Sequence, residues 1–121
     1  MSDKKPLASI LIDHYNSRDL VGETIESALA QDYEPKEIIL VDDGSTDGSK
    51  DVLSHFESRI RIIYQENRGQ NGALNRLVEE AKGDVFFFLD GDDLFLPGKV
   101  ARIMEIYKKL DWQKKIFLFH S

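Results

Sequence analysis

The feature that most constrains this chain is a set of short apolar runs that do not alternate with polar residues. Ala8–Ile12 is interrupted only by Ser9 and Ile60–Tyr64 only by Arg61, while Ile38–Val41 and Val85–Leu89 are apolar throughout. A strand with one wet face alternates, whereas a continuous run is covered on both faces. Between these runs, apolar residues recur at helical spacing. The first such stretch holds Leu20, Val21, Ile25, Ala28 and Leu29, opens at Asn16 or Ser17 as a cap and ends before Pro35. A second holds Val52, Leu53 and Phe56, and a third holds Ala73, Leu74, Leu77, Val78 and Ala81 with Gly83 as the expected C′ glycine. Pro97 suits the first turn of a fourth helix reaching about Leu110, and Ile116–Phe119 opens a fifth apolar run. Strands separated by helices of this length demand crossovers and pair in parallel. The expected fold is therefore α/β: a Rossmann-like, mostly parallel sheet with helices on both faces, forming one unit over residues 1–121.

Composition narrows the function classes. A net charge of −6, from 16 Lys+Arg against 22 Asp+Glu, argues against a nucleic-acid partner, which wants a basic footprint. The absence of cysteine excludes disulfides, thiolate metal sites and a cysteine nucleophile. The N-terminal segment from Met1 to Pro6 is polar and lacks the apolar core of a signal peptide, so a cytoplasmic location is expected.

Two acidic clusters carry the chemistry. Asp42-Asp43 follows the second apolar run, and Asp90-Gly91-Asp92-Asp93 follows the fourth. Both fall at the carboxyl edge, where open α/β sheets bind their ligands. Carboxylates gathered there repel one another, and a hard divalent cation, Mg²⁺ or Mn²⁺, removes that repulsion. Such a cation also attracts an anion, most simply a nucleotide diphosphate. For Asp42-Asp43-Gly44-Ser45 two readings stand together: a carboxylate that accepts hydrogen bonds from a base or ribose, and a capping loop in which Ser45, Thr46 or Asp47 starts the next helix. For the second cluster the metal reading is preferred over a solvated acidic turn. Tyr15 suits stacking on a flat base beside a polar Asn16, or simply bridges core and solvent. His14 receives no catalytic role. Arg68, Asn71 and Asn75, beside Gly69 and Gly72, suit either a phosphate at a helix N-terminus or an ordinary loop-to-helix start.

These pieces form an ordered series. Ser9-Ile10-Leu11-Ile12 with Tyr15-Asn16, Ser27-Ala28-Leu29-Ala30-Gln31-Asp32-Tyr33, Glu37 to Gly48, and Phe88 to Asp93 with Pro97 together resemble the family 2 glycosyltransferases, from about Leu7 to Ile106. The resemblance implies a GT-A fold that binds a nucleotide sugar, commonly UDP-linked. Carried over by position, Tyr15 stacks on the base and Asp43 hydrogen-bonds it. Asp90 and Asp92 are the two acids of a D-x-D motif, with Asp90 toward the ribose and Asp92 on the metal that bridges the diphosphate. The family usually has Pro and a small residue before Tyr-Asn, where this chain has Asp13-His14, so Asp13 adds a carboxylate near the nucleotide. The family often has Arg before the Asn that matches Asn75, where this chain has Leu74.

In the resembled family the acceptor half and the catalytic base follow the D-x-D region. The chain is thus expected to be the donor-binding N-terminal part of an inverting glycosyltransferase, inactive as it stands. It has no catalytic residue of its own in this reading, and the base is expected beyond Ser121. The acceptor, whether sugar, polysaccharide, lipid or protein, is left open, and a lipid acceptor would bring the whole enzyme to the membrane's inner face. The alternatives are a Mg²⁺-binding receiver-type signalling domain, or a non-catalytic module that keeps the fold.

Overall fold

The structure, a computed structural model, describes residues 5–109 and the strand Ile116–Phe119. Leu110, the expected end of the fourth helix, and Ser121, beyond which the catalytic base is expected, both lie outside the described residues. Five parallel strands form one sheet in the order β3-β2-β1-β4-β5, with β1 Ala8–His14, β2 Lys36–Asp43, β3 Arg61–Gln65, β4 Val85–Asp90 and β5 Ile116–Phe119. The crossovers are α1 Arg18–Leu29, α2 Ser49–Leu53 with a 3-10 turn at Ser54–Phe56, α3 Gly69–Glu80 and α4 Lys99–Lys109. The strand order differs from the 2-1-3-4-5 order of receiver-type domains, which removes that alternative.

Both faces are covered, as the continuous apolar runs require. Ile10, Ile12, Leu40, Phe87 and Leu89 turn toward Val21 and Ile25 of α1 and Val100 and Met104 of α4. Leu11, Ile39, Val41 and Phe88 turn the other way, toward Ala73 and Leu77 of α3. Alternate residues along one strand thus feed opposite cores.

The structure moves three expected boundaries. The strands run past their apolar stretches, so Asp13, His14, Asp42 and Asp43 are strand residues held by ladder pairing rather than loop residues. The fourth helix begins at Lys99, two residues after Pro97. Gly83 is not a C′ glycine, because α3 already ends at an extended Ala81. Gly83 is instead required by close packing: a Cβ there would lie 2.2 Å from Ser9 Oγ and 2.9 Å from the Leu7 carbonyl. Its N–H donates to Ser9 Oγ at 2.9 Å.

Candidate functional site

The order reverses between β1 and β4, the switch point at which open α/β sheets leave a crevice outside the strand ends. A cavity of about 400 Å³ opens there. Asp13, His14 and Tyr15 reach it from the end of β1, and Asp43 from the end of β2. Asp90, Gly91 and Asp92 close the β4 side, while Asn67, Gly69 and Gln70 bring in the start of α3. Of the residues picked out in the sequence, Tyr15, Asp43, Asp90, Asp92 and Asp13 meet in this one space. Asn75 does not; it is exposed on α3, and Arg68 and Asn71 also stay off the cavity wall.

The first acidic pair divides its work. Asp42 is buried, and its Oδ1 accepts the Ser45 hydroxyl at 2.5 Å and the Ser45 N–H at 3.3 Å, a turn that closes on the strand end. Asp43 is buried on the cavity side; its Oδ1 accepts the Arg68 N–H at 2.8 Å and Gln65 Nε2 at 3.0 Å. Gly44 has φ 78°, and a Cβ there would fall 2.7 Å from the Asn67 nitrogen, so the β3–α3 loop can press against it only if residue 44 is glycine. The capping reading shifts by one residue: the N-cap of α2 is Gly48, without a side-chain cap bond, and Asp47 acts from the position before it. Its Oδ2 accepts the Arg18 N–H at 2.9 Å and its Oδ1 the Ser49 N–H at 3.0 Å, so one carboxylate caps both α1 and α2. Burial works against its charge, but the bonds from Ser49 and Arg18 hold the carboxyl below the usual range. Neither Ser17 nor Asn16 caps α1 with its side chain. Asn16 instead adopts φ 52° and spends its polar groups on the next loop, receiving Thr46 N–H at 2.7 Å and donating its own N–H to Ser45 Oγ at 2.9 Å.

The second cluster is asymmetric. Asp13 and Asp90 are register partners on β1 and β4. Burial and the neighbouring Asp90 carboxylate push the Asp13 carboxyl up to about 6, against a donor bond from Gln70 Nε2 at 3.2 Å. Asp13 Oδ1 is buried with no hydrogen-bond partner among the described residues. Asp92 is exposed and carries no side-chain hydrogen bond among the described residues. Gly91 between them is buried, and its N–H donates to the Asp13 carbonyl at 2.8 Å. A Cβ on Gly91 would lie 2.8 Å from His14 Nδ1. His14 is buried with both ring nitrogens unpartnered among the described residues, and burial holds it below the usual imidazole range against the pull of Asp42 and Asp47.

The donor set suits a hard divalent cation. Asp90 and Asp92 present carboxylates to the cavity, beside Asp13. Among the described residues no three such side chains converge tightly enough to cage a metal unaided. Mg²⁺-type sites use one or two carboxylates and complete the shell with waters and substrate phosphates. Gln70, Asn67 and His14 are the wall residues that the sequence reading passed over. Gln70 and Asn67 had a usable signal, since both sit in the Gly-flanked stretch that starts α3; His14 had none, because nothing in its neighbours marks it as buried.

Comparison with known proteins bears on this geometry. The Glycosyl transferase family 2 model matches residues 9–111. An uncharacterized glycosyltransferase of Nostoc sp. is 41% identical over 107 residues, covering 85% of this chain and 33% of that protein. The Escherichia coli UDP-Glc:alpha-D-GlcNAc-diphosphoundecaprenol beta-1,3-glucosyltransferase WfaP is 35% identical over 117 residues, covering 95% of this chain and 45% of that one. The mannosyltransferase PcManGT from Pyrobaculum calidifontis, solved with GDP-Man and Mn²⁺, superposes with a TM-score of 0.74 at 25% identity, over 87% of this chain and 33% of that one. The chain therefore spans less than half the length of these proteins.

Proposed function

The chain belongs to glycosyl transferase family 2, and from that premise we propose that the cavity between β1, β2 and β4 holds a nucleotide-diphosphate sugar, UDP-linked, for transfer of the sugar with inversion to an acceptor. The observation that carries this reading is the meeting of Tyr15, Asp43, Asp90 and Asp92 at the switch point, beside the N-terminal turn of α3. Tyr15, half exposed at the rim, offers its ring to the base, and Asp43 offers its remaining carboxylate oxygen to the base edge. Asp90 would face the ribose, and Asp92 would hold a Mg²⁺ or Mn²⁺ ion at the diphosphate. When bound, that ion supplies Lewis-acid stabilisation of the charge on the departing diphosphate. Asp13, where the family usually carries Pro, accepts Gln70 Nε2 at 3.2 Å on the cavity wall. Asn75 stays in the proposal only as an outer contact, reached if the diphosphate extends along α3.

The unit formed by residues 1–121 is the donor-binding part in this proposal. No residue of this chain is assigned as the base that activates the acceptor hydroxyl, and the chain spans less than half the length of these relatives. WfaP carries its acceptor's name, a diphosphoundecaprenol-linked sugar; an acceptor of that kind would set the reaction at the inner face of a membrane, in the cytoplasm. Among the described residues no helix is long and apolar enough to cross a membrane. Titration calorimetry of UDP with Mn²⁺, and again with EDTA, tests the reading. Binding is expected only with the metal; equal affinity in both would remove the metal-bridge role, and no binding in either would leave a fold without its chemistry.

A further inference from the structure

Helix α1 buries a polar stripe where an apolar one would be expected. Thr24 and Ser27 lie one turn apart on α1, beside Val21, Ile25 and Ala28 of its inward side, and Gln31 follows directly after the C-cap Ala30. Thr24 is fully buried and Gln31 nearly so. Buried polar groups on a helix are costly unless bonded, and here every one of them bonds to the backbone that follows β4. Thr24 Oγ1 donates to the Asp93 carbonyl at 2.6 Å and lies 3.0 Å from that of Gly91; its single hydrogen serves one of them at a time. Ser27 Oγ accepts the Phe95 N–H at 3.1 Å. Gln31 Nε2 donates to the Leu96 carbonyl at 3.1 Å, and its Oε1 accepts the Val100 N–H at 3.0 Å. From the other side, the Gly91 N–H is tied to the Asp13 carbonyl of β1 at 2.8 Å.

We propose that Thr24, Ser27 and Gln31 are positioning residues: they hold residues 91–96 in the one shape that turns Asp92 toward the diphosphate and its metal. The inference rests on the donor-site reading above. Asp90, Asp92 and Asp93 lie within four residues, and their mutual repulsion drives the loop to spread. The stripe opposes that spreading through backbone bonds alone. It therefore fixes where the carboxylates point without competing for their oxygens, as outer-shell partners of metal ligands do elsewhere. Helix α1, which touches no part of the cavity itself beyond its first turn, in this way becomes part of the donor site.

The test compares Thr24→Val, which keeps the shape and removes the hydroxyl, with Thr24→Ser, which keeps the hydroxyl, and with Ser27→Ala. For each, calorimetry measures UDP affinity with Mn²⁺ and with EDTA, and a thermal melt measures the ligand-free fold. Thr24→Val is expected to weaken Mn²⁺-dependent UDP binding by roughly 10–100-fold, the range seen for outer-shell partners. Thr24→Ser is expected to keep wild-type affinity, and Ser27→Ala to fall between, whether or not the valine variant folds. Wild-type affinity in a folded Thr24→Val or in Ser27→Ala would overturn the inference. So would a Thr24→Ser variant as weak as Thr24→Val. Failure of the wild-type chain to bind Mn²⁺ and UDP would instead overturn the donor-site reading itself, and this inference with it.

Discussion

Asp13 shows how far one residue's neighbours decide its chemistry. A carboxyl lifted from 3.8 to about 6 by burial and by Asp90 binds its proton more tightly in the folded chain than in the unfolded one. Stability is then highest below the unfolded value and falls as pH rises through the interval between the two, staying low above about 6. In metal-free buffer, Asp13→Asn removes that penalty. It should stabilise the fold at pH 7.5 by roughly 1–3 kcal/mol, one to two units of carboxyl shift at 1.36 kcal/mol each. The gain should vanish near pH 4, and thermal melts across pH in EDTA would show it; a gain that does not change with pH would place the effect outside Asp13's titration. Asp92 is the opposite case, exposed and without a side-chain bond among the described residues. Asp92→Asn should leave the ligand-free melting temperature within the ~0.5 kcal/mol typical of surface changes while weakening Mn²⁺-dependent UDP binding at least tenfold, about 1.4 kcal/mol. A large loss of ligand-free stability would make Asp92 a structural residue. The acids themselves were legible in the sequence because charge beside an apolar run is conspicuous. The division of labour between Asp42 and Asp43 was not, because it depends on which one faces the loop that carries Gln65 and Arg68.

At the level of elements, the strands and helices could be read from the sequence because periodicity is a local property. What could not be read is what joins them. Asp47 was one of three equivalent cap candidates by type, yet it alone bridges two helix starts that are 31 positions apart in sequence, at Arg18 and Ser49. Asp47→Ala should therefore cost more than a single cap, about 1–4 kcal/mol for two caps at ~0.5–2 kcal/mol each. Asp47→Asn should recover part of that, since an amide oxygen still accepts one bond; denaturant melts of the two variants would decide, and equal losses would show that the charge, not the capping, matters. Gly83 makes the same point from packing. The pattern of a helix end suggested a C′ glycine, but the constraint comes from Ser9 on a strand 74 residues away. Gly83→Ala should destabilise by roughly 1–3 kcal/mol as overpacking does, with its effect read in the same denaturant melts. What Thr24, Ser27 and Gln31 bond to was not legible for a related reason: their partners lie in the loop after β4, more than 60 positions away.

For the molecule as a whole, the proposed donor site would engage Asp43, Asp90 and Asp92 of the cavity carboxylates, and no acceptor-activating base is assigned in that proposal. General-base help is worth about 10²–10⁴ in rate, and near-ideal acceptor positioning as much as ~7–11 kcal/mol. The 121-residue chain should thus bind donor and hydrolyse it slowly at most; incubation with labelled nucleotide sugars and a range of acceptors checks this, and robust acceptor-dependent turnover would overturn it. The strand order has a further consequence for how the protein is made. β1 is synthesised first yet lies at the centre, between β2, which begins at Lys36, and β4, which begins at Val85. A nascent chain can pair β1 on one side long before its other neighbour exists. At ~5–20 residues per second, the 49 positions between those two starts (85 − 36) leave one apolar edge of β1 open for roughly 2–10 seconds on every ribosome. During that interval the edge can accept a strand from any chain nearby. The protein's yield in a cell therefore depends on how crowded its polysomes are and on what chaperones wait at the tunnel exit.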